Sequence, residues 1–288
     1  MTITSPIAPG IPPGRQVDLA GRGSAFTRVI EGPPGAPTLL LLHGWTVTAD
    51  VNWGPSYAGL AEHFSVLTLD QRGHGGGIHS RRPFTLEDCA DDAVALARVA
   101  GRDQVIMVGY SMGGPVAQLA WHRHPEVVSG LVLCSTATSF GGGELFYSSL
   151  LALSHLARIA PRALSRPLAS RFAQRRFAGL TMSEWAAEQV APNDPAVLLR
   201  AGSAIGAFDS APWISEVDVP TSVVLTTLDR VVEPPRQRAL AREIPGAQTF
   251  EVAGDHGVCL VDPARYLPVL VEACQSVAAR GRGKSFME

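Results

Sequence analysis

Gly109-Tyr110-Ser111-Met112-Gly113 follows directly on the apolar run Val105 to Val108 and leads into the helical pattern Met112 to His124. A serine in a sharp strand-to-helix turn carries its Oγ above the sheet edge. Glycines must flank it, because neighbouring backbone passes too close for a Cβ. The N-terminus of the following helix offers a backbone donor, and the positive end of its dipole, to any negative charge formed there. A serine hydroxyl is a weak nucleophile at neutral pH. Such a site therefore needs a neutral imidazole within hydrogen-bond reach, and a carboxylate to orient that imidazole. Among the histidines, His256 in Gly254-Asp255-His256-Gly257 lies in a loop between a late strand pattern and the final helix pattern.

Those residues must be positioned by a sheet. The runs Thr38 to Leu42, Val66 to Leu69, Val105 to Val108, Leu131 to Cys134 and Val223 to Thr227 are short and continuously apolar, as strands buried on both faces of a parallel sheet are. Gln248 to Val252 reads as a last strand, and Arg15 to Asp18 and Ala25 to Ile30 as two extended segments at the front. Helical patterns alternate with them at Leu86 to Val99, Met112 to His124 and Pro263 to Ala279, which predicts βαβ units. The alternation breaks over residues 137–212. There the helical patterns Ser148 to Ile159, Arg162 to Phe177, Ser183 to Val190 and Pro195 to Phe208 follow one another, behind a glycine hinge at Gly141 to Gly143. The expected division is a core of residues 1–136 and 213–288 with a helical insertion at 137–212.

With the elbow, His43-Gly44-Trp45 and Asp70-Gln71-Arg72-Gly73-His74-Gly75 in their places after the first two apolar runs, the chain resembles the α/β-hydrolase superfamily. The resemblance implies an α/β fold: a mostly parallel central sheet with helices on both faces and a helical lid. It also implies a serine hydrolase with the chain order Ser111, Asp229, His256 as nucleophile, orienting acid and base. By the same resemblance the backbone N–H groups of Trp45 and Met112 form the oxyanion hole. Asp229 ends Thr226-Thr227-Leu228-Asp229, similar to the family's G-x-x-D except that Thr226 stands where glycine is usual. Glu233, Asp218 and Asp209 compete for the acid role, the last two from the wrong end of a parallel strand. The side chains of His43 and His74 are read as structural, Asp255 as solvated, and His63, His79, His122, His124 and His155 as surface or helix-end residues.

Composition narrows the function classes. Hydrophobic residues make up 46% and charged residues 17% of 288 positions, the balance of a globular chain. A net charge of −2 lacks the basic field a nucleic-acid partner requires. Cys89, Cys134, Cys259 and Cys274 are scattered without ligand spacing and read as buried thiols, and no Walker or H-E-x-x-H motif occurs, so neither a metal nor an organic cofactor is implied. The start of the chain lacks the features of a signal peptide, and no apolar run is long enough to span a bilayer. A cytoplasmic protein without stable membrane insertion is expected.

The insertion is rich in large apolar residues, among them Phe140, Leu145, Phe146, Tyr147, Leu150, Leu151, Leu156, Phe172 and Phe177. It also carries the arginines Arg158, Arg162, Arg166, Arg171, Arg175 and Arg176. The first set reads mainly as lid packing and the second as a solvated helix face, with peripheral contact to an anionic surface left open. A small-molecule carboxylic ester with a small to medium apolar acyl group is the expected substrate. C–C bond hydrolase, thioesterase, acyltransferase and cofactor-free perhydrolase stay open on the same triad, as does a ligand receptor on a hydrolase scaffold. Epoxide hydrolase and dehalogenase chemistry is disfavoured, because those relatives carry aspartate where this chain has Ser111.

Overall fold

The computed structural model describes residues 11–80, 83–141, 144–159, 183–190 and 193–284. Eight strands form one sheet: β1 Arg15–Leu19, β2 Gly23–Ile30, β3 Thr38–Leu42, β4 Ser65–Leu69, β5 Val105–Tyr110, β6 Val128–Cys134, β7 Thr221–Thr226 and β8 Gln248–Val252. Their spatial order is β1-β2-β4-β3-β5-β6-β7-β8. The β1/β2 and β2/β4 pairs are antiparallel, and every pair from β4/β3 to β7/β8 is parallel. All residues of β3, β4, β5 and β7 are buried, so these strands read as unbroken apolar runs. By contrast β1 and β8 lie at the edges and are mostly exposed, each buried only at its last residue.

The helices are α1 Ala49–Trp53, α2 Tyr57–Ala61, α3 Leu86–Val99, α4 Gly113–Arg123, α5 Glu144–Ile159, α6 Ser183–Val190, α7 Pro195–Ala207, α8 Pro234–Glu243, α9 Val258–Val261 and α10 Pro263–Lys284. Capping explains two starts. Thr85 accepts from the Asp88 N–H at 3.0 Å before α3, with Glu87 and Asp88 in the first turn. Asp194 accepts from the Ala196 and Val197 N–H groups before α7, whose first residue is Pro195. The core lies on both faces of the sheet. One cluster joins Leu40, Leu42, Leu67, Met107, Leu131 and Leu133 to α3 and α4, and the other joins Leu39, Leu41, Val66, Ile106 and Val132 to Tyr266, Leu270 and Ala273 of α10.

The apolar runs locate β3 to β7, and the extended segments and the last strand pattern locate β1, β2 and β8, but some ends are misplaced. Strand β6 starts three residues before Leu131, where Ser129 and Gly130 interrupt the apolar run, and β7 starts at Thr221 instead of Val223. Thr221 and Ser222 are polar yet buried: the Thr221 hydroxyl donates to the Val219 carbonyl, and Ser222 Oγ accepts from Arg280. The run Met112 to His124 corresponds to α4, with Met112 as its N-cap.

Within residues 137–212, α5, α6 and α7 are helical, and the described residues hold no strand beyond an isolated bridge between Ser139 and Asp209. That bridge, with Ser210 N–H donating to the Thr138 carbonyl at 2.9 Å, brings the two ends of this stretch together. Helix α5 lies against α7, where Tyr147 packs on Gly206 and Leu150 on Gly202. The expected helix Arg162 to Phe177, Gly142 and Gly143 of the hinge, the side chains of Leu145, Phe146 and Arg158, and Phe172, Phe177 and the remaining arginines named above lie outside the described residues. Among the described residues no helix is long and apolar enough to cross a membrane.

Candidate active site

Ser111 occupies the turn from β5 into α4 with φ +53°. A non-glycine residue rarely adopts this left-handed conformation, so the surroundings must impose it. They do so on both sides of the serine. The Ser111 N–H donates to the Cys134 carbonyl at 2.9 Å, and its own carbonyl accepts from Gly114 N–H and Thr136 Oγ1, each at 2.9 Å. A Cβ at Gly113 would overlap the Leu42 carbonyl of β3, and one at Gly109 would overlap the Gly113 carbonyl, so neither position admits another residue without backbone movement.

His256, in the loop after β8, places Nε2 2.9 Å from Ser111 Oγ and Nδ1 2.8 Å from Asp229 Oδ2. A carboxylate only accepts, so Nδ1 carries the proton and the Nε2 lone pair faces the serine hydroxyl. The Tyr110 hydroxyl donates to the His256 carbonyl at 2.9 Å and braces the loop from β5.

Asp229, just past β7, is buried. Its Oδ1 accepts from Val231 N–H at 2.8 Å and Val232 N–H at 2.9 Å. Its Oδ2 accepts from His256, from Thr226 Oγ1 at 2.8 Å and from Gln237 Nε2 at 3.2 Å. Burial pushes this carboxyl upward, but the hydrogen bond and charge of His256 and the two N–H groups outweigh it. The net position is below the ordinary aspartate value.

The rival acids lie elsewhere. Glu233 is exposed, Asp218 accepts from Trp121 Nε1 at 3.2 Å, and Asp209 accepts from Ala211 N–H. Asp255 is exposed and accepts from Gly257 N–H.

The third strand end, after β3, carries His43-Gly44-Trp45. His43 is fully buried: its Nδ1–H donates to the Gly44 carbonyl at 2.8 Å, and its Nε2 accepts from Gln71 N–H at 2.9 Å. Burial lowers it to about 3, helped by neighbouring His74, so it stays neutral. His74 is buried too, is lowered by burial to about 4, and donates from Nδ1 to the Arg72 carbonyl at 2.9 Å. Gln71 Nε2 donates to the His43 carbonyl at 2.6 Å, and Asn52 Oδ1 accepts from Gly44 N–H at 2.8 Å. The N–H groups flanking the serine are thus sorted. Those of Gly44 and Ser111 are committed to Asn52 and Cys134, while those of Trp45 and Met112 have no acceptor among the described residues.

A cavity of about 270 Å³ opens beside Ser111 and His256. Val47, Val51, Leu260, Val261 and Trp45 supply its apolar wall, and Asn52, Thr46 and Cys259 its polar part. No Arg or Lys lines it among the described residues. Trp45 also donates from Nε1 to the Leu198 carbonyl of α7 at 2.9 Å, tying that helix to the β3 turn. All four cysteines are buried with free thiols. Of the other histidines, His63, His79, His122 and His155 are exposed, and His124 pairs with Asp91 at 2.8 Å at the end of α4.

Sequence reasoning missed Asn52, Gln71 and Gln237, polar side chains that act on the site through hydrogen bonds to Gly44, His43 and Asp229. Thr226 alone left a signal, as a threonine in a glycine position.

Comparison with known proteins bears on the fold that carries these residues. A family profile described as alpha/beta hydrolase fold matches residues 37–263. The chain is 31% identical over 118 residues to 2-(acetamidomethylene)succinate hydrolase of Mesorhizobium japonicum, covering 41% of each chain. The matched stretch thus spans about two fifths of that relative's length. It is 24% identical over 284 residues to a poly(3-hydroxyalkanoate) depolymerase of Ectopseudomonas oleovorans, covering 92% of this chain and 94% of that one. Among solved structures, a hydrolase from Pseudomonas aeruginosa superposes with a TM-score of 0.77 at 20% identity over 91% of this chain and 98% of that one, a likeness of fold.

Proposed function

The chain belongs to the alpha/beta hydrolase family, and we propose that within it the protein is a serine hydrolase. In this reading it cleaves carboxylic esters of small to medium, apolar acyl groups through an acyl-enzyme intermediate. The observation that carries this reading is the continuous contact from Ser111 Oγ through His256 to Asp229, at 2.9 and 2.8 Å, on the wall of a cavity.

His256 Nε2 takes the hydroxyl proton as Ser111 Oγ attacks the ester carbonyl, and Asp229 stabilises the imidazolium that forms. The carbonyl oxygen becomes an oxyanion held by the Trp45 and Met112 N–H groups, a contribution of about 3 kcal/mol per donor. Collapse of this intermediate expels the alcohol, which leaves with the proton from His256. A water then gives its proton to His256, attacks the acyl carbonyl and releases the carboxylic acid and free serine. The triad needs neither metal nor organic cofactor for these steps. In this reading residues 137–212 form a lid over the core, supported by the meeting of their two ends and by the Trp45 to Leu198 hydrogen bond.

The cavity favours an uncharged acyl group. Its described wall offers no cation to a substrate carboxylate, unlike what the dicarboxylate in the Mesorhizobium relative's name would call for. Its size suits an acyl chain of a few carbons. Two measurements test the proposal. A fluorophosphonate probe should label the protein and fail to label Ser111→Ala. With p-nitrophenyl esters of increasing acyl length, kcat/KM should peak at short chains and fall at least tenfold for long ones. Absent labelling would remove the nucleophile, and equal rates at all lengths would remove the acyl pocket.

A further inference from the structure

We propose that Thr226 and Gln237 are positioning residues for the triad, whose hydrogen bonds to Asp229 Oδ2 orient the carboxylate and set how strongly it holds the His256 imidazolium. The proposal rests on the reading of Ser111, His256 and Asp229 as a catalytic triad. Three donors converge on this one oxygen: His256 Nδ1 at 2.8 Å, Thr226 Oγ1 at 2.8 Å and Gln237 Nε2 at 3.2 Å. The site therefore shares the charge of Oδ2 between the base and two side chains that take no part in the chemistry.

The direction of each bond follows from counting protons. Thr226 has one hydroxyl proton and four polar neighbours: Asp229 Oδ2 at 2.8 Å, Gln237 Nε2 at 3.0 Å, Ser135 Oγ at 3.2 Å and Gln237 Oε1 at 3.4 Å. The shortest contact is also the one to an anion, so the proton goes to Asp229 and Thr226 Oγ1 accepts from Gln237 and Ser135. Gln237 Oε1 accepts from the Thr226 N–H at 3.1 Å. One amide hydrogen of Gln237 donates to the Val232 carbonyl at 2.7 Å, and the other is shared between Thr226 Oγ1 and Asp229 Oδ2. Every polar atom of Thr226 and Gln237 has a partner, and both residues are fully buried. No water competes for these bonds, and a low local dielectric makes each one count.

This arrangement explains a departure from the family's pattern. A glycine at 226 would leave Oδ2 with His256 and Gln237 alone. The threonine adds a charge-dispersing donor, and Gln237 locks that donor in place from the first turns of α8.

Thr226→Val keeps the shape and removes the donor. More of the Oδ2 charge then falls on His256, which holds its proton to higher pH. The acid limb of the kcat/KM profile for a short p-nitrophenyl ester should move up by about half a pH unit, and kcat at neutral pH should fall roughly three- to tenfold. Thr226→Ser retains the hydroxyl and should restore both. Gln237→Met removes the other donor and should shift the limb the same way.

The other ionisable groups around the pair are unchanged in these variants. Asp255 precedes His256, and the Tyr110 ring lies 5.7 Å from the imidazole. Cys259 lines the cavity from α9, and Arg230, Glu233 and Arg236 are exposed on the segment from β7 into α8.

A merely structural role would lower melting temperature without moving the limb. An unmoved limb in folded Thr226→Val, or a Thr226→Ser profile like that of Thr226→Val, overturns the proposal. If Thr226→Val does not fold, Thr226→Ala and Gln237→Met read the same limb and decide in the same way. Fluorophosphonate labelling of the wild type keeps the two readings apart. Labelling with an unmoved limb defeats only the positioning role, whereas failure to label defeats the triad beneath it.

Discussion

Asp229 receives five donors, and that number bears on what the residue does. A carboxylate so surrounded has one orientation and one protonation state, which is what His256 needs to keep its proton on Nδ1 and its lone pair toward Ser111. Asp229→Asn tests this. An amide at 229 would present an NH₂ group to donors on one side or the other, and His256 would turn to its other tautomer or turn away. We expect kcat/KM to fall by roughly 10³- to 10⁴-fold, with fluorophosphonate labelling slowed in parallel. A loss of less than tenfold would show that the imidazole is held by something other than this carboxylate.

Among the elements, the strand-to-helix turn at Ser111 sets the tolerances of the site. It is squeezed between β3 and its own helix, so that Gly113 faces the Leu42 carbonyl with no room for a methyl group. Gly113→Ala must displace β3 or α4, at a cost of about 1–3 kcal/mol. Displacing β3 also moves the Gly44-Trp45 turn that follows it. Urea unfolding should register the lost stability, and the surviving folded enzyme should show reduced kcat with KM little changed. An unaltered unfolding midpoint would mean that the elbow is looser than its contacts indicate. Helix α8 works differently, reaching into the site through Gln237 alone while its remaining surface is largely solvated.

For the molecule as a whole, buried ionisable groups near the β3 and β4 ends make stability depend on pH. Burial holds His43 at about 3 and His74 at about 4, against 6.5 for an exposed imidazole. Between pH 6.5 and about 4 the unfolded chain therefore binds two protons that the folded chain refuses, and stability falls as pH drops. Burial raises Asp70 to about 7 from 3.8, so in the same window the folded chain binds one proton that the unfolded chain does not. For these three groups, two against one leaves a net loss of about 1.4 kcal/mol per pH unit on acidification, which the Asp92 carboxyl, also raised by burial, offsets in part toward the acid end. Asp229, held below its ordinary value, adds to the loss only below that window. Melting temperatures at pH 7, 6, 5 and 4 should fall steadily. His74→Asn, whose amide can still donate to the Arg72 carbonyl, should flatten the curve. Parallel curves for the two proteins would show that His74 takes up its proton in the fold.

What the sequence determined by itself were the features encoded in neighbouring residues. Five continuous apolar runs marked the parallel strands because both faces of those strands are buried. The Gly109 to Gly113 turn marked the serine because a tight elbow demands glycine on each side. The break in alternation set off residues 137–212 as an expected insertion, and the order of motifs singled out Asp229 and His256, which the structure brings into line with Ser111. Helix α8 was not legible, since of its ten residues only Gln237 and Leu240 are buried and no apolar period results. Nor were the partners of the site. Gln71 on His43 joins the ends of the neighbouring strands β4 and β3, whereas Asn52 on the Gly44 turn and Gln237 with Thr226 on Asp229 join groups close in the chain whose meeting depends on how α1 and α8 fold back onto the strand ends. A buried amide is satisfied by whatever the fold brings within 3 Å. Local sequence carries no record of that choice, and only the tertiary structure decides it.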